Sequence, residues 1–331
     1  MSDTTTAAAG ADARPPGMDE RAQRYAAEHA RPLRALAYRM LGSRADAEDV
    51  VQEAWLRWST AIDATAIRHP REYLSRIVTR LCLDRLGAAA ARREQYVGLW
   101  LPEPLLDDER ADWCPERQTA LAQDVSMAFL LALERLSPLE RAAFLLHEVF
   151  ELGFDEVAQH LARSPAACRQ LASRARAHLR AGEARRSVSA AERERLGAAF
   201  VRALRDRDVD ALTRALTADA TLLADGGGRV TAISRALHGG PAVARLLVAF
   251  ADLPAAAAWR LQPVGVGGEP GYLVVDEQAG VLVQVVALIP AADGTQVTGI
   301  HVQRNPDKLR AVAATLGLDL MHRDPGGASH A

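Results

Sequence analysis

Apolar residues recur every three or four positions through the first two thirds of the chain, the spacing of helices that bury one face. The last third instead carries short apolar runs bounded by Gly, Asp and Pro, the texture of strands. A first helix runs from Met18 to Leu41 and Gly42 ends it. The next, about 45–62, turns Ala47, Val50, Val51, Ala54 and Trp58 inward. His69-Pro70 breaks the chain before a helix over 71–86, which buries Tyr73, Leu74, Ile77, Val78 and Leu81. Ser137-Pro138-Leu139-Glu140 is a capping box with Pro at the first helical position, and opens a helix ending near Phe150. A short amphipathic helix, Phe154 to Leu161, is followed by a three- or four-residue turn. Ser164-Pro165 then starts a second helix, whose Cys168, Leu171, Ala175 and Leu179 share one side.

From Leu196 onward two helical segments, about 192–205 and 208–216, lead into a strand at 220–224. The turn Asp225–Arg229 and a strand at 230–234 follow, then a helix over 241–251 behind Gly239-Gly240. Four strand-like runs come next (259–266, 272–276, 281–289 and 297–303), and Asn305-Pro306-Asp307 starts a last helix. The expected fold is multidomain: two all-α domains, the second with a helix-turn-helix, then an α+β domain with a curved, mostly antiparallel sheet. The expected boundaries are a disordered tail 1–20, a helical domain 21–96, an acidic Pro-containing linker 97–119, the helix-turn-helix domain 120–186, a linker 187–195, the α+β domain 196–318 and a tail 319–331.

Charge sharpens this picture. The 331 residues carry a net charge of −2, so nucleic-acid binding must come from a local patch. Such a patch lies between residues 163 and 186, where seven Arg (163, 169, 174, 176, 180, 185, 186) face one acid, Glu183. Arg169, Ser173, Arg176 and Arg180 form a stripe away from the apolar face of the second helix, which suits a helix lying in the DNA major groove. The bland alternative is a solvated basic helix; the short preceding helix and the Ser-Pro cap favour DNA. Helix 71–86 offers a second, weaker basic surface through Arg76, Arg80 and Arg85, extended by Arg92 and Arg93. On helix 45–62, by contrast, Asp49, Gln52 and Glu53 surround an outward Leu56. An acidic face on a DNA-binding protein repels DNA and fits a basic protein partner.

From Trp100 to Asp124 seven acids oppose two Arg, and LPEPLLDDE favours an extended, exposed path. Trp100, Leu101 and Trp113 are costly to leave in water and should dock on a neighbouring domain. The three Cys (82, 114, 168) lack any Cys-x-x-Cys spacing and read as core fillers in a reducing compartment. The start of the chain has no apolar run, and the longest apolar stretch, 281–290, is too short to cross a bilayer. A cytoplasmic protein with no membrane partner, cofactor or metal is expected.

Residues 29–95 and 120–185 resemble the two domains of bacterial RNA polymerase sigma factors of the extracytoplasmic-function (ECF) type. The resemblance rests on DAEDVVQEAWLRW (Asp46 to Trp58), YLSRIVTRLCLDRL (Tyr73 to Leu86) and the run from Leu136 to Arg180. It implies core RNA polymerase, through the β′ coiled coil and β, and promoter DNA as partners. Asp46, Asp49, Gln52, Glu53 and Leu56 would bind the polymerase. Arg76, Arg80, Arg85, Arg92 and Arg93 would serve the −10 element, and Arg163, Ala166, Arg169, Gln170, Ser173, Arg174, Arg176 and Arg180 the −35 element.

Residues 196–318 resemble the SnoaL-like cone that one subgroup of these sigma factors carries. The marks are Trp100-Leu101-Pro102-Glu103-Pro104, Asp225-Gly226-Gly227-Gly228-Arg229 and Asn305-Pro306-Asp307-Lys308-Leu309. Where Arg229 stands the subgroup more often has Lys, which keeps the charge and alters its geometry. The resemblance implies regulation in cis, the three segments acting between domains. A clamp is favoured, with a sensor binding a small ligand in the cone second. Catalysis comes third, because Asp225, His238, His301, Arg229 and Gln284 are candidates by type only. Asp225–Arg229 lacks the ending of a phosphate loop, and Gly265-x-Gly267-Gly268 precedes Pro and a strand, so neither binds nucleotides. The rival to a sigma factor is a stand-alone helix-turn-helix regulator with a ligand-sensing or enzymatic C-terminal domain.

Overall fold

The computed structural model describes residues 20–62, 69–93, 96–114, 119–180 and 189–321. Of the expected tails 1–20 and 319–331, residues 1–19 and 322–331 lie outside the described residues, as do Arg185 and Arg186. The first helical domain comprises α1 (Glu20–Leu41), α2 (Arg44–Ile62) and α3 (Pro70–Arg93). The inward positions of α2 are all buried, joined by Trp55, which packs edge-on against Trp58 at 5.7 Å. Gly42 takes a left-handed φ of +66° and a Cβ there would lie 2.7 Å from the Trp100 ring, so both turn and neighbour require glycine.

Two short helices, α4 (Arg110–Trp113) and α5 (Ala120–Gln123), lead to α6 (Met127–Glu134) and α7 (Pro138–Phe144). The Ser137 box forms: Glu140 N donates to Ser137 Oγ at 3.3 Å and Ser137 N to Glu140 Oε2 at 3.1 Å. α7 then widens into a π-helical turn, Leu145–Val149. Next come α8 (Phe154–Leu161) and α9 (Pro165–Arg180), with Ala162 left-handed in the turn and Ser164 Oγ accepting from Ala167 N at 3.2 Å. α1 to α9 share one apolar cluster, so the two helical domains are fused through their cores.

The last domain opens with α10 (Ala190–Arg205) and α11 (Val209–Ala215). Its sheet holds β1 (Leu216–Asp225), β2 (Leu237–His238), β3 (Trp259–Val266), β4 (Glu269–Asp276), β5 (Val281–Pro290), β6 (Val297–Gln303) and β7 (Asp319–Leu320); α12 (Gly240–Ala251) and α13 (Pro306–Leu316) complete it. The strand order is β2-β1-β6-β5-β4-β3. β1 pairs β6 in parallel and β7 pairs β5 in parallel, so the sheet is mixed, with its other pairs antiparallel. Both faces are covered. Tyr272, Val274 and Val286 meet α10 to α12, while Leu273, Val275 and Val285 face a second cluster containing Leu309 and Val312 of α13. That double burial is why β4 and β5 read as continuous apolar runs.

Three expectations are corrected. Residues 230–234 form no strand: Val230 N folds back onto Gly226 O, and β1 pairs instead with β2. The tight loop with Gly227 and Gly228 at φ +61° and +68° turns the chain away from the sheet edge. The stretch expected as a tail from 319 begins with β7. The acidic linker does not run exposed; Leu101 to Leu106 are all buried.

Candidate functional site

The linker is buried because it lies between the first helical domain and the cone, bonded to both. Toward the helices, the Glu103 carboxylate accepts from Ser43 Oγ and Arg44 N, each at 2.8 Å, and so caps the start of α2. Burial raises the Glu103 pKa, opposed by these hydrogen bonds. Tyr38 Oη donates to Glu103 O at 2.8 Å, and burial raises that phenol's pKa too. Arg44 holds Glu109 by both guanidinium nitrogens, at 2.8 and 3.2 Å.

Toward the cone, Asp225 at the end of β1 is fully buried and collects a set of donors. Leu101 N reaches Oδ2 at 2.9 Å, Lys308 Nζ reaches Oδ2 at 2.7 Å, and Tyr96 Oη and Gly227 N reach Oδ1 at 2.6 and 2.9 Å. Lys308 also donates to Leu101 O at 2.6 Å and lies 4.2 Å from the Trp100 ring centroid. Gln303 Nε2 bonds Pro102 O at 3.1 Å, and Asn305 Nδ2 bonds Tyr96 Oη at 2.9 Å. A buried carboxylate persists only with its charge paired and its lone pairs filled, and both conditions are met. Burial, then the hydrogen bond to Asp225, pushes the Tyr96 pKa up, which keeps its hydroxyl a donor.

The cone also reaches the second helical domain. The β3–β4 turn, Gly267-Gly268, sits against Val125 and Ser126: a Cβ on Gly267 would lie 2.4 Å from Val125 O. Gly267 N donates to Leu105 O at 2.7 Å and Gly268 N to Asp107 Oδ1 at 2.6 Å. Met127 of α6 is buried in the same cluster as Leu101, Val266 and Leu309.

The remaining expected site residues fall on two surfaces. On α2, Asp46, Asp49 and Gln52 are exposed, Glu53 half-buried, and Leu56 48% exposed. Arg85 of α3 joins this surface, donating to Asp46 O at 2.9 Å and pairing with Asp46 Oδ1 at 3.4 Å, with Glu53 and Asp49 at 3.9 Å. The expected −10 set is therefore divided: Arg80 is exposed, while Arg76 donates to Gln159 of α8 at 3.3 Å. Arg92 and Arg93 belong to α3, their side chains outside the described part. On α8–α9, Arg163, Ala166, Arg169, Gln170, Ser173 and Arg174 are exposed. Arg169 stacks on Phe154 at 5.8 Å, Arg174 pairs with Glu140 at 3.2 Å and Arg176 pairs with Glu148. The Arg180 side chain lies outside the described part.

In the cone, Arg229 pairs with Asp307 at 3.1 Å, Leu309 is buried, and Pro306 starts α13 behind its Asn305 cap. Of the residues offered for catalysis, Asp225 is committed to the linker, and His238 on β2 is exposed. Gln303, Asp107 and the seam role of the Gly267-Gly268 turn escaped sequence reasoning, and Tyr96, which the sequence offers for stacking on bases beside helix 71–86, instead bonds Asp225. Gln303 and Asp107 carry no local motif. The glycine pair was visible and was weighed only as a nucleotide loop.

A helix-turn-helix beside a three-helix domain with an acidic, leucine-centred face defines a transcription factor that meets both DNA and a protein machine. The Sigma-70 region 2 family model matches residues 26–92 and the Sigma-70 region 4 model residues 126–179. The chain is 42% identical over 218 residues to the ECF RNA polymerase sigma factor SigJ of Mycobacterium tuberculosis, covering 65% of this chain and 69% of that one. It is 33% identical over 284 residues to the probable ECF RNA polymerase sigma factor SigI of the same organism, covering 85% and 92%. The crystal structure of M. tuberculosis SigJ superposes with a TM-score of 0.66 at 33% identity, over 87% of this chain and 98% of that one. The chain belongs to the ECF RNA polymerase sigma factors, which direct transcription initiation at promoters. Among the described residues no helix is long and apolar enough to cross a membrane.

Proposed function

We propose that the SnoaL-like cone regulates this sigma factor in cis by clamping its region 2 and region 4 domains through the linker. The carrying observation is the buried linker, tied to α2 by Glu103 and to the cone by Asp225 and Lys308. The cone touches region 2 through this strap and region 4 through Gly267 and Met127. Asp46, Asp49, Gln52, Glu53 and Leu56 then face core polymerase, through the β′ coiled coil, with β as the further contact. Arg85 orients that acidic face rather than DNA, since its guanidinium is already spent on three of its carboxylates. Arg163, Ala166, Arg169, Gln170, Ser173, Arg174, Arg176 and Arg180 face the −35 element. Arg174 and Arg176 must exchange their acidic partners for phosphates. The −10 element falls to Arg80, Arg92, Arg93 and, once α8 moves away, Arg76. Arg76 thus becomes available to DNA only when region 4 swings off it. The protein acts without turnover and works in the cytoplasm. A small ligand in the cone remains the second reading of its control.

The test is run-off transcription with purified core RNA polymerase. Leu56→Arg should abolish initiation with the fold intact. Asp225→Ala should raise it by loosening the clamp; unchanged output from Asp225→Ala would remove cis regulation from the account.

A further inference from the structure

Region 2 and region 4 meet over more than a sealed apolar seam. Between them lies a cavity of about 290 Å³. Its floor is apolar, built from Leu33 and Leu36 of α1 and from Leu146 and Phe150 beside the π-helical turn. Its rim is charged, with Glu72, Glu151 and Glu156 against the single guanidinium of Arg71. By formal charge the rim is acidic, three carboxylates to one guanidinium, with the imidazoles of His29 and His160 on the same wall. Ser75 and His160 bridge the seam at the cavity wall, Oγ to Nε2 at 2.9 Å. His160 Nδ1 faces Glu156 O at 2.8 Å, a carbonyl that can only accept, so Nδ1 carries the proton and Nε2 accepts from Ser75.

The far wall is backbone of an uncommon kind. The π-helical turn Leu145–Val149 ends in Phe150, and Glu151 follows with a left-handed φ of +54°. Leu152 N closes the loop on Leu146 O at 2.9 Å, and His147 Nδ1 bonds Leu152 O at 2.9 Å. A π-turn and a left-handed non-glycine residue each cost free energy that an α-helix ending in glycine would save. Here together they aim Phe150 into the floor and hold the Glu151 backbone at the rim.

We infer that this cavity binds a small organic cation with an apolar body, and that its occupancy holds region 4 against region 2. The apolar part fills the floor against the Phe150 ring, and the charged end meets the carboxylates at the rim. An anion of the same shape meets Arg71 and His29 within a ring of three carboxylates. Because α1 and α3 supply one side and the π-turn and α8 the other, opening the seam dismantles the site. The ligand therefore binds the closed form alone, and at ten times its Kd multiplies the closed-to-open ratio about elevenfold. The site stands on its own geometry; only its effect on transcription rests on the sigma reading above.

The test uses the full-length chain with benzylamine, benzyl alcohol and phenylacetate, which share a phenyl ring and differ in charge. Ligand-observed NMR titration should show benzylamine binding in the millimolar range, benzyl alcohol several-fold weaker and phenylacetate not at all. Leu152→Trp, which places an indole in the mouth, should abolish benzylamine binding. The Glu72→Gln/Glu151→Gln pair should weaken it by about fivefold to tenfold, the scale of two partly exposed ion pairs. Benzylamine should also slow amide exchange in α8 of the wild type and lower run-off initiation, and do neither in Leu152→Trp. No binding by benzylamine, equal binding by phenylacetate, or unchanged binding in Leu152→Trp would overturn the site. Binding without slower exchange in α8 would overturn its hold on the seam. Slower exchange with unchanged initiation would leave the site standing and sink the sigma-level consequence.

Discussion

The two seams of this molecule are built on different principles. Between the linker and the cone, a buried carboxylate meets an ammonium, a phenol and two backbone amides, each lone pair filled. Between region 2 and region 4, an apolar cluster is crossed by two buried guanidinium bonds, Arg39 to Ala122 O at 2.6 Å and Arg141 to Met40 O at 2.5 Å, and by the Ser75–His160 bond, and leaves a cavity. Parting the cone from the linker strands the buried Asp225 carboxylate, whereas the guanidinium bonds of the other seam end on neutral carbonyls, for which water can substitute as the seam opens. The difference teaches which seam can open: the cone keeps its grip on the linker while the sigma domains part.

The most damaging way to disturb that contrast is Asp225→Ala, which strands Lys308 and leaves Leu101 N and Tyr96 Oη short of a partner. It should lower the stability of the cone by about 3–5 kcal/mol in urea unfolding. Gly267→Ala comes next. Its φ of +62° and the 2.4 Å approach of a Cβ to Val125 O should cost about 2 kcal/mol and loosen the cone from region 4, seen as faster amide exchange in α6. At the other seam, Arg141→Met removes a 2.5 Å bond to Met40 O and a 2.7 Å ion pair to Glu134. The side chain is buried but the replacement is apolar and of similar length, so about 1–2 kcal/mol is expected, with α7 loosened and the cone unaffected.

The smallest effect concerns pH. Burial holds the His160 pKa below its usual 6.5, with Arg76 acting in the same direction and Glu156 and Glu72 against it. The seam contribution of the neutral ring is therefore present above pH 6.5 and is lost as pH falls through the lowered value, because the open form takes up the proton first. Amide protection in α8, corrected for the pH dependence of intrinsic exchange, should fall on acidification while protection in the cone does not change. His160→Gln should flatten that pH dependence; an equal response in both seams would erase the distinction.

Much of this was legible in the residues. The helices of both sigma domains follow from 3.6-residue spacing, caps at Ser137 and Ser164, and breaks at Gly42 and Pro70. The outward Leu56 stood out because a large apolar side chain among acids has no packing reason. The cone strands were readable from length and turns, but their pairing was not. Asp225–Arg229 looks like a hairpin turn, and only tertiary contact makes Asp225 the anchor of a linker 124 residues away in sequence. The linker was half legible: Leu101 and Trp113 are buried as their apolar character indicates, but Pro and acid indicate an exposed path, and nothing local shows that Glu103 will cap α2. Arg85 was misplaced because helical phase gives direction without naming the neighbouring helix, and that neighbour is the acidic one.

The clamp is tested most directly by the distance between the two sigma domains. Spin labels at Glu48→Cys on α2 and Ala177→Cys on α9 occupy exposed positions, and Cys82, Cys114 and Cys168 are buried. In the full-length chain, pulsed dipolar spectroscopy should give one narrow distance distribution. With Asp225→Ala added it should broaden toward longer distances, as core polymerase should also make it do in the parent chain. A distribution that Asp225→Ala leaves narrow and unmoved would contradict the claim that the cone holds the sigma domains together.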